Sequence, residues 1–183
     1  MPGRIAVFCG SQSGNGARYI ETAILTASRI VQRGFGIVYG GGRVGLMGVL
    51  ADTALAAGGE VIGVIPRALS AKEIAHDGLT ELHVVESMHE RKALMADLSD
   101  AFIAIPGGYG TMDEFCEILT WAQLRIHDKP VGLLNADGYY DDLIALFDRM
   151  VGEGFVTALN RTLVRSAATI DELLEGFALE IPR

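Results

Sequence analysis

Cysteines, basic residues and long apolar runs are scarce in this sequence of 183 residues, and each scarcity excludes a class of protein. Two cysteines, Cys9 and Cys116, are too few for the disulfide framework of a small secreted domain. The 15 basic residues are outnumbered by 23 acidic ones, and the net charge of −8 argues against non-specific binding to nucleic acid or to an anionic membrane. The first apolar run soon meets Gly10 and Ser11, so it is too short for a signal-peptide core or a membrane span. We therefore expect a soluble, cytoplasmic protein with two buried free thiols.

The composition is otherwise that of one globular domain. Half of the chain is hydrophobic, which is enough for a sizeable core at this length. No internal repeat, low-complexity tract or linker marks a second domain, so the sequence predicts a single domain over residues 1–183. The four histidines show no metal-ligand spacing with cysteines or carboxylates, and we expect no metal.

Short β-branched runs alternate with longer helical stretches along the chain. This alternation is typical of an α/β fold in which a parallel sheet is covered on both faces by helices. The predicted strands are 5–9, 36–39, 61–65, 82–85, 101–105 and 131–135. The predicted helices are 17–33, a stretch ending at 57, 88–98, 111–125, 140–151 and a last helix that begins with the capping box 169–172. The less regular stretch 67–79 holds Lys72, Glu73 and His76, and we expect a loop or short helix there.

The most informative run is the glycine-rich stretch 106–114, with the sequence PGGYGTMDE. Pro106 cannot continue the ladder of the strand before it, and the glycines after it let the backbone turn with its N–H groups outward. Thr111 is predicted to open a helix, whose positive dipole end would favour a phosphorylated ligand. The same letters, 111–114, also fit a capping box that only begins the helix.

A second glycine-rich loop, 40–48, follows the predicted strand 36–39 in the same layout. Two such loops after parallel strands can converge on one crevice. The loop formally matches the dinucleotide fingerprint, but the expected acidic residue, Glu60, precedes the next strand instead of ending it, so a dehydrogenase is poorly supported. The lysine of a Walker loop is missing, which argues against NTP hydrolysis. We expect this loop to bind a single phosphate or to pack tightly on the sheet.

Two adjacent cations, Arg91 and Lys92, lie in the early turns of the predicted helix 88–98. They point about 100° apart, so at most one of them can face a given site squarely. A solvated basic surface is one interpretation. The other is a ligand contact, because the helix begins just after the carboxyl end of a strand, where α/β proteins place ligands.

These motifs resemble the LOG (Lonely Guy) family, the cytokinin riboside 5′-monophosphate phosphoribohydrolases, which are often mislabelled as lysine decarboxylases. The matching motifs are PGGxGTxxE at 106–114 and MHxRK at 88–92, and the likeness continues through 40–48, 121–124 and 128–135. Arg125 departs from the pattern, because many relatives have glycine there. The decarboxylase label finds no support, since none of the lysines, Lys72, Lys92 and Lys129, lies in a recognisable setting for a pyridoxal phosphate Schiff base.

The resemblance implies a Rossmann-like fold and a homodimer with active sites near the subunit interface. It further implies hydrolysis of the N-glycosidic bond of a nucleoside 5′-monophosphate, without a cofactor, to an adenine-type base and ribose 5-phosphate. By the same likeness, Arg91 and Glu114 match the catalytic pair. The substrate-contacting positions are matched by Glu73, Lys92, Gly108, Tyr109, Gly110, Thr111, Met112, Asp113 and Thr120.

The implied reaction suits these residue types. A carboxylate such as Glu114 can stabilise oxocarbenium character at the ribose and orient water. Arginine is a poor general acid, so Arg91 would polarise or hold the leaving base. Met88, Met112 and Trp121 are candidates to line the base pocket, and the apolar helix 115–122 is a candidate interface. A non-catalytic nucleotide-binding or carrier protein of the same fold is the alternative.

Overall fold

The computed structural model describes residues 3–70 and 75–177, and within them seven strands form one parallel sheet. The strands are β1 Arg4–Phe8, β2 Gly36–Tyr39, β3 Val61–Pro66, β4 Glu81–Val85, β5 Ala101–Ala104, β6 Val131–Leu134 and β7 Val164–Ala167. They lie in the order β4-β3-β2-β1-β5-β6-β7, and every neighbouring pair is parallel. The chain runs outward in one direction from β1 and in the other from β5, so the gap between these two strands is the topological switch point.

Helices cover both faces of the sheet. They are α1 Ala17–Gln32, α2 Gly45–Ala56, α3 Arg67–Ser70, α4 Met88–Asp97, α5 Tyr109–Gln123, α6 Asp141–Gly152, α7 Ala158–Arg161 and α8 Ile170–Phe177, with a 3₁₀ turn at Ala136–Gly138. One core layer joins alternate strand residues such as Ile5 and Ile103 to α1, α2 and α8. The other joins Ala6 and Phe102 to α4, α5 and α6. The predicted single parallel sheet flanked by helices is therefore confirmed.

Burial explains which strands the sequence predicts. The inner strands β1, β2, β3, β5 and β6 are buried on both faces, apart from Arg4 at the start of β1, and so they read as continuous apolar runs. Their bounds agree with prediction to within one residue. The outer strand β7 has the sequence VRSA, exposes the side chains of Arg165 and Ser166, and was not predicted because it has no apolar run. The other edge strand, β4, was predicted because Leu82, Val84 and Val85 give it one. The one-turn helix α7 was not predicted either.

Two predicted capping boxes have different outcomes. The box at the start of α8 is confirmed: Thr169 N–H donates to Glu172 Oε2 at 3.2 Å, and Glu172 N–H donates to Thr169 Oγ1 at 3.3 Å. The prediction that Thr111 opens a helix is wrong, because α5 already begins at Tyr109 with Gly108 as its N-cap. Thr111 therefore lies in the first turn of the helix, and it packs so closely on Gly107 that a Cβ there would collide with Thr111 Oγ1.

Arg125, the residue that departs from the family pattern, lies just after the end of α5 in a left-handed backbone conformation. The N–H groups of Arg125 and Ile126 donate to the carbonyls of Ala122 and Trp121, at 3.0 and 2.9 Å, in the pattern of a Schellman motif. This motif places the residue after the cap in the left-handed region, and Arg125 has φ 59°. Glycine takes this conformation without strain, whereas arginine does not.

The two cysteines differ in exposure. Cys9 is buried at the end of β1, as expected. The prediction of a second buried thiol is wrong, because Cys116 is exposed on α5. The buried side chains of that helix are Thr111, Glu114, Phe115, Ile118 and Ala122. Their spacing defines one face, and Cys116 lies off it.

Candidate active site

The carboxyl ends of β1, β2 and β5 meet around a cavity of about 150 Å³ beside the switch point. Four segments form its wall, namely the end of β1, the loop and helix start after β2, the first turn of α4 and the start of α5. The lining residues are Val7, Cys9, Gly10, Ser11, Gly40, Met47, Met88, Arg91, Gly108, Tyr109, Gly110, Thr111 and Glu114.

A buried pair of opposite charges lies in this wall. Arg91 is 5% exposed and Glu114 is 8% exposed. Arg91 Nη2 lies 3.6 Å from Glu114 Oε1, and it donates to Gly40 O at 3.2 Å. Opposite charges offset each other's cost of burial, and the separation is that of an ion pair without a tight hydrogen bond. Both side chains line the cavity, so a bound ligand would meet a positive and a negative group in the same wall.

Two donors near this pair lack a partner. Within the part of the chain that the structure describes, the buried Arg91 Nε–H donates no hydrogen bond, and the buried Thr111 Oγ1 neither donates nor accepts one. Both residues line the cavity. Most buried polar atoms in proteins are hydrogen-bonded, so unpaired ones gathered at a cavity indicate a site that a polar ligand completes.

The start of α5 adds a second source of positive potential beside Arg91. Its N-cap, Gly108, supplies no side-chain hydrogen bond to the first turn, and the first backbone bond runs from Met112 N–H to Gly108 O at 3.2 Å. The amides before Met112 are thus left for a ligand, at the positive end of a helix of 15 residues. Such an end binds anions.

Glycines allow the segments of the wall to approach one another. A Cβ on Gly107 would lie 2.9 Å from Gly10 N, so the loops after β1 and β5 pack backbone against backbone. A Cβ on Gly40 would collide with Arg91 Nη2. Gly45, with φ 58°, packs against the backbone of Ser11. Of the two roles expected for loop 40–48, close packing is the one that these contacts support.

The structure gathers only some of the predicted site residues. Arg91, Glu114, Gly108, Tyr109, Gly110 and Thr111 line the cavity together. Glu73 lies outside the described residues. The remaining predicted contacts, Lys92, Met112, Asp113 and Thr120, do not line the cavity.

Those remaining residues have clear environments of their own. Lys92 Nζ contacts Asp113 Oδ2 at 3.2 Å and Glu117 Oε2 at 2.7 Å. Burial opposes the charge on Lys92, but the hydrogen bonds to these carboxylates outweigh it and raise the lysine pKa above its usual value. Met112 packs against the core, while Thr120 is exposed and its Oγ1 donates to Cys116 O at 2.7 Å.

Sequence reasoning missed the contribution of the first strand. Cys9, Gly10 and Ser11 line the cavity but were not predicted as site residues. These residues directly follow a buried parallel strand, and that position, which predicts the other two loops as ligand sites, could also have identified them. Met88 lines the cavity as expected, whereas Met112 and Trp121 do not.

Within residues 3–70 and 75–177, no three histidine, cysteine or acidic side chains cluster as a metal ion would require. No helix in the same ranges combines the length and apolar character needed to cross a membrane.

Fold and site together define a class: a parallel α/β protein with a buried Arg–Glu pair and a free helix amino terminus at its switch point. The family model described as "Possible lysine decarboxylase" matches residues 47–177. The chain is 57% identical over 172 residues to the probable cytokinin riboside 5′-monophosphate phosphoribohydrolase LOGL1 of Oryza sativa subsp. japonica, covering 94% of this chain and 77% of the relative. It is 48% identical over 180 residues to the cytokinin riboside 5′-monophosphate phosphoribohydrolase LOG1 of Arabidopsis thaliana, covering 98% and 84%. The chain therefore belongs to the LOG family.

Solved structures resemble the fold at lower identity. The molybdenum cofactor carrier protein of Chlamydomonas reinhardtii has a TM-score of 0.72 and 24% identity, over 96% of this chain and 99% of that chain. The molybdenum cofactor binding protein of Rippkaea orientalis has a TM-score of 0.70 and 24% identity, over 96% and 94%. At this identity the likeness establishes a shared fold only.

Proposed function

We propose that this protein hydrolyses the N-glycosidic bond of adenosine 5′-monophosphates, including N6-substituted cytokinin nucleotides, and releases the free base and ribose 5-phosphate. The observation that carries the proposal is the buried Arg91–Glu114 pair at the free start of α5. The names of the relatives, about half identical over nearly the whole chain, support this activity over a carrier role.

The 5′-phosphate is assigned to the start of α5. The unpaired amides of the first turn, the helix dipole and the unpartnered Thr111 hydroxyl all favour an anion there. Gly108 and Gly110 have no atoms within 4 Å of where a Cβ would lie, so a ligand can approach the backbone closely. This capture is local, which suits a protein whose net charge is −8.

Glu114 is assigned to the ribose. It lies five residues after Tyr109, about 7.5 Å farther along the helix axis at about 1.5 Å per residue, so a nucleotide held by its phosphate reaches it with the sugar. Departure of the base leaves positive charge on the ribose ring, and the Glu114 carboxylate stabilises that charge and orients a water. The water adds its hydroxyl to C1′, and the leaving nitrogen gains a proton.

Arg91 is assigned to positioning and electrostatics. Its guanidinium does not deprotonate in proteins, so it is not the acid that protonates the base. Gly40 O and Glu114 hold it in the wall, where its charge offsets the negative charge that develops on the leaving base.

The protein is a cytoplasmic homodimer, and the other predicted substrate contacts act in that assembly. Thr120 and Cys116 line an apolar groove of about 230 Å³ between α5 and the region of α6 and α7, away from the cavity. Apolar surface of this kind is typical of subunit interfaces. We infer that a second copy covers the groove, and that Lys92, Met112, Asp113 and Thr120 reach substrate only in that assembly. Glu73 stays a predicted substrate contact.

The dimer has a direct test. Light scattering is expected to give twice the chain mass for the wild type, and Cys116→Arg, a charge placed in the groove, is expected to give the monomer. Leu25→Arg on α1 is the control, because Leu25 is also an exposed apolar residue but lies away from the groove. A monomeric wild type would contradict the dimer.

The activity is tested by incubating the purified protein with AMP and with isopentenyladenosine monophosphate. Free base and ribose 5-phosphate are followed by chromatography, and adenosine serves as the control without a phosphate. Base release from the nucleotides and not from adenosine is expected. Tight nucleotide binding with no base released over a long incubation would favour the carrier function instead.

A further inference from the structure

Two tyrosine hydroxyls from the turn after β6 hold the glycine-rich loop after β5. Tyr140 Oη donates to Ile105 O at 2.8 Å, and Tyr139 Oη donates to Gly107 O at 2.6 Å. The two accepting carbonyls flank Pro106. The loop is therefore fastened on both sides of the proline by side chains of a neighbouring turn.

The turn that carries these tyrosines is itself well fixed. Asn135 Oδ1 accepts from Tyr140 N–H at 2.7 Å, and Asn135 Nδ2 donates to Asp141 Oδ1 at 2.7 Å. The two tyrosine rings meet edge to face with centroids 4.9 Å apart. Tyr140 is 3% exposed, and burial raises the pKa of its hydroxyl, so it remains a protonated donor.

The loop needs such outside support because it has few side chains of its own. Glycines occupy positions 107, 108 and 110. The backbone of glycine loses more conformational entropy on folding than that of any other residue type. Free rotation of a peptide plane would turn its N–H away from a ligand. An anchor on the carbonyl of that plane prevents the rotation.

The hydrogen bond to Gly107 O has a directional consequence. The carbonyl of Gly107 and the N–H of Gly108 belong to one planar trans peptide, in which they point in opposite directions. Holding Gly107 O against Tyr139 thus directs the Gly108 N–H away from Tyr139. Gly108 lines the cavity that contains Arg91 and Glu114.

We propose that Tyr139 is a positioning residue, which aims the Gly108 amide at the phosphate of the substrate through its hydrogen bond to Gly107 O. This inference rests on the proposed function, in which the start of α5 binds a 5′-phosphate. Tyr139 acts through the loop and does not touch the reacting atoms. Its loss weakens phosphate binding and leaves the chemical step at Glu114 in place.

Tyr139→Phe removes the hydroxyl and keeps the ring. One neutral hydrogen bond is worth about 1 kcal/mol, so we expect about a fivefold rise in KM for AMP and in the Kd for inorganic phosphate. We expect kcat to change by less than about twofold, because the group acts on ground-state and transition-state phosphate alike. A residue with only a structural role would not produce this split between KM and kcat.

Tyr19→Phe is the matched control. The Tyr19 ring meets Tyr139 edge to face at 5.8 Å, and both tyrosines line a second cavity on the other side of Gly108 from Arg91. The Tyr19 hydroxyl, however, accepts from Arg18 Nη2 at 2.8 Å on the surface. Calorimetry with inorganic phosphate and with ribose 5-phosphate compares the two variants with the wild type, beside kcat and KM for AMP. Phosphate binding weakened in Tyr139→Phe and not in Tyr19→Phe supports the proposal.

Three results would overturn it: unchanged phosphate affinity in Tyr139→Phe, an equal loss in Tyr19→Phe, or a fall in kcat with KM unchanged. Failure of the hydrolase function is a separate result. A wild type that binds phosphate but releases no base from AMP would refute hydrolysis, while the phosphate affinities of the two variants would still decide the role of Tyr139.

Discussion

Replacing Glu114 with glutamine separates a catalytic carboxylate from a structural one. The change removes one charge and keeps nearly the same shape. The side chain is 10% exposed and lies 3.6 Å from Arg91 Nη2, so it is shielded from most of the surrounding water. It is not part of a helix cap, because α5 begins at Tyr109 with Gly108 as its cap.

The expected loss follows from the charge on the ribose. Two unit charges about 4 Å apart interact by about 4 kcal/mol at an effective dielectric constant of about 20. Each 1.36 kcal/mol of transition-state stabilisation is a factor of ten in rate. We therefore expect Glu114→Gln to lower kcat for AMP by about three orders of magnitude.

Glu172→Gln is the control, because Glu172 is the acidic member of the capping box on α8 and glutamine serves equally well there. Base release is measured by chromatography, and thermal melting establishes that each variant is folded. Turnover by folded Glu114→Gln within about tenfold of the wild type would refute the assignment of Glu114 to the oxocarbenium charge.

Three further predictions test the surroundings of the site and the stability of the fold. Gly40→Ala is expected to lower kcat at least about 100-fold, because its Cβ would displace the Arg91 guanidinium, whereas Gly152→Ala, which meets no atoms within 4 Å, should leave kcat unchanged; equal rates in the two variants would refute this. Arg125→Gly is expected to raise the free energy of unfolding by about 1 kcal/mol in denaturant titration, since it relieves a φ of 59°, and a decrease would contradict the strain. Burial lowers the pKa of His127, whose Nδ1 accepts from Lys129 N–H, so protonation favours the unfolded chain and stability is expected to fall as the pH drops below about 6.5. His127→Gln should reduce that pH dependence, and an identical pH profile in the variant would argue against it.

Most of the fold could be predicted because the inner strands are buried on both faces. Such strands carry uninterrupted apolar runs, and the helices between them have their own spacing. β7 could not be predicted in this way, since Val164–Ala167 has the sequence VRSA, without the apolar run that marks even the other edge strand, β4. Its place in the sheet depends on pairing with β6, which no local pattern encodes.

The site was predicted only in part for a similar reason. Arg91 and Glu114 stand in distinctive motifs, and the structure brings them together in one wall. The start of α5 was misplaced because Thr111 and Glu114 have the local pattern of a capping box, whereas the helix begins at Tyr109 and Thr111 lies in its first turn. Gly10 and Ser11 were missed because their role depends on the loops that pack beside them.

The strand order gives β5 a second effect besides its place in the sheet. Residues from Arg4 to Val85 contain β1 to β4, which are neighbours in the order β4-β3-β2-β1. Without β5, β1 would be an outer strand with open backbone groups, the kind of edge through which chains aggregate. β5 covers that edge, and the chain after it forms α5, which carries Glu114 to Arg91. The strand that closes the centre of the sheet therefore also leads into the helix that completes the cavity.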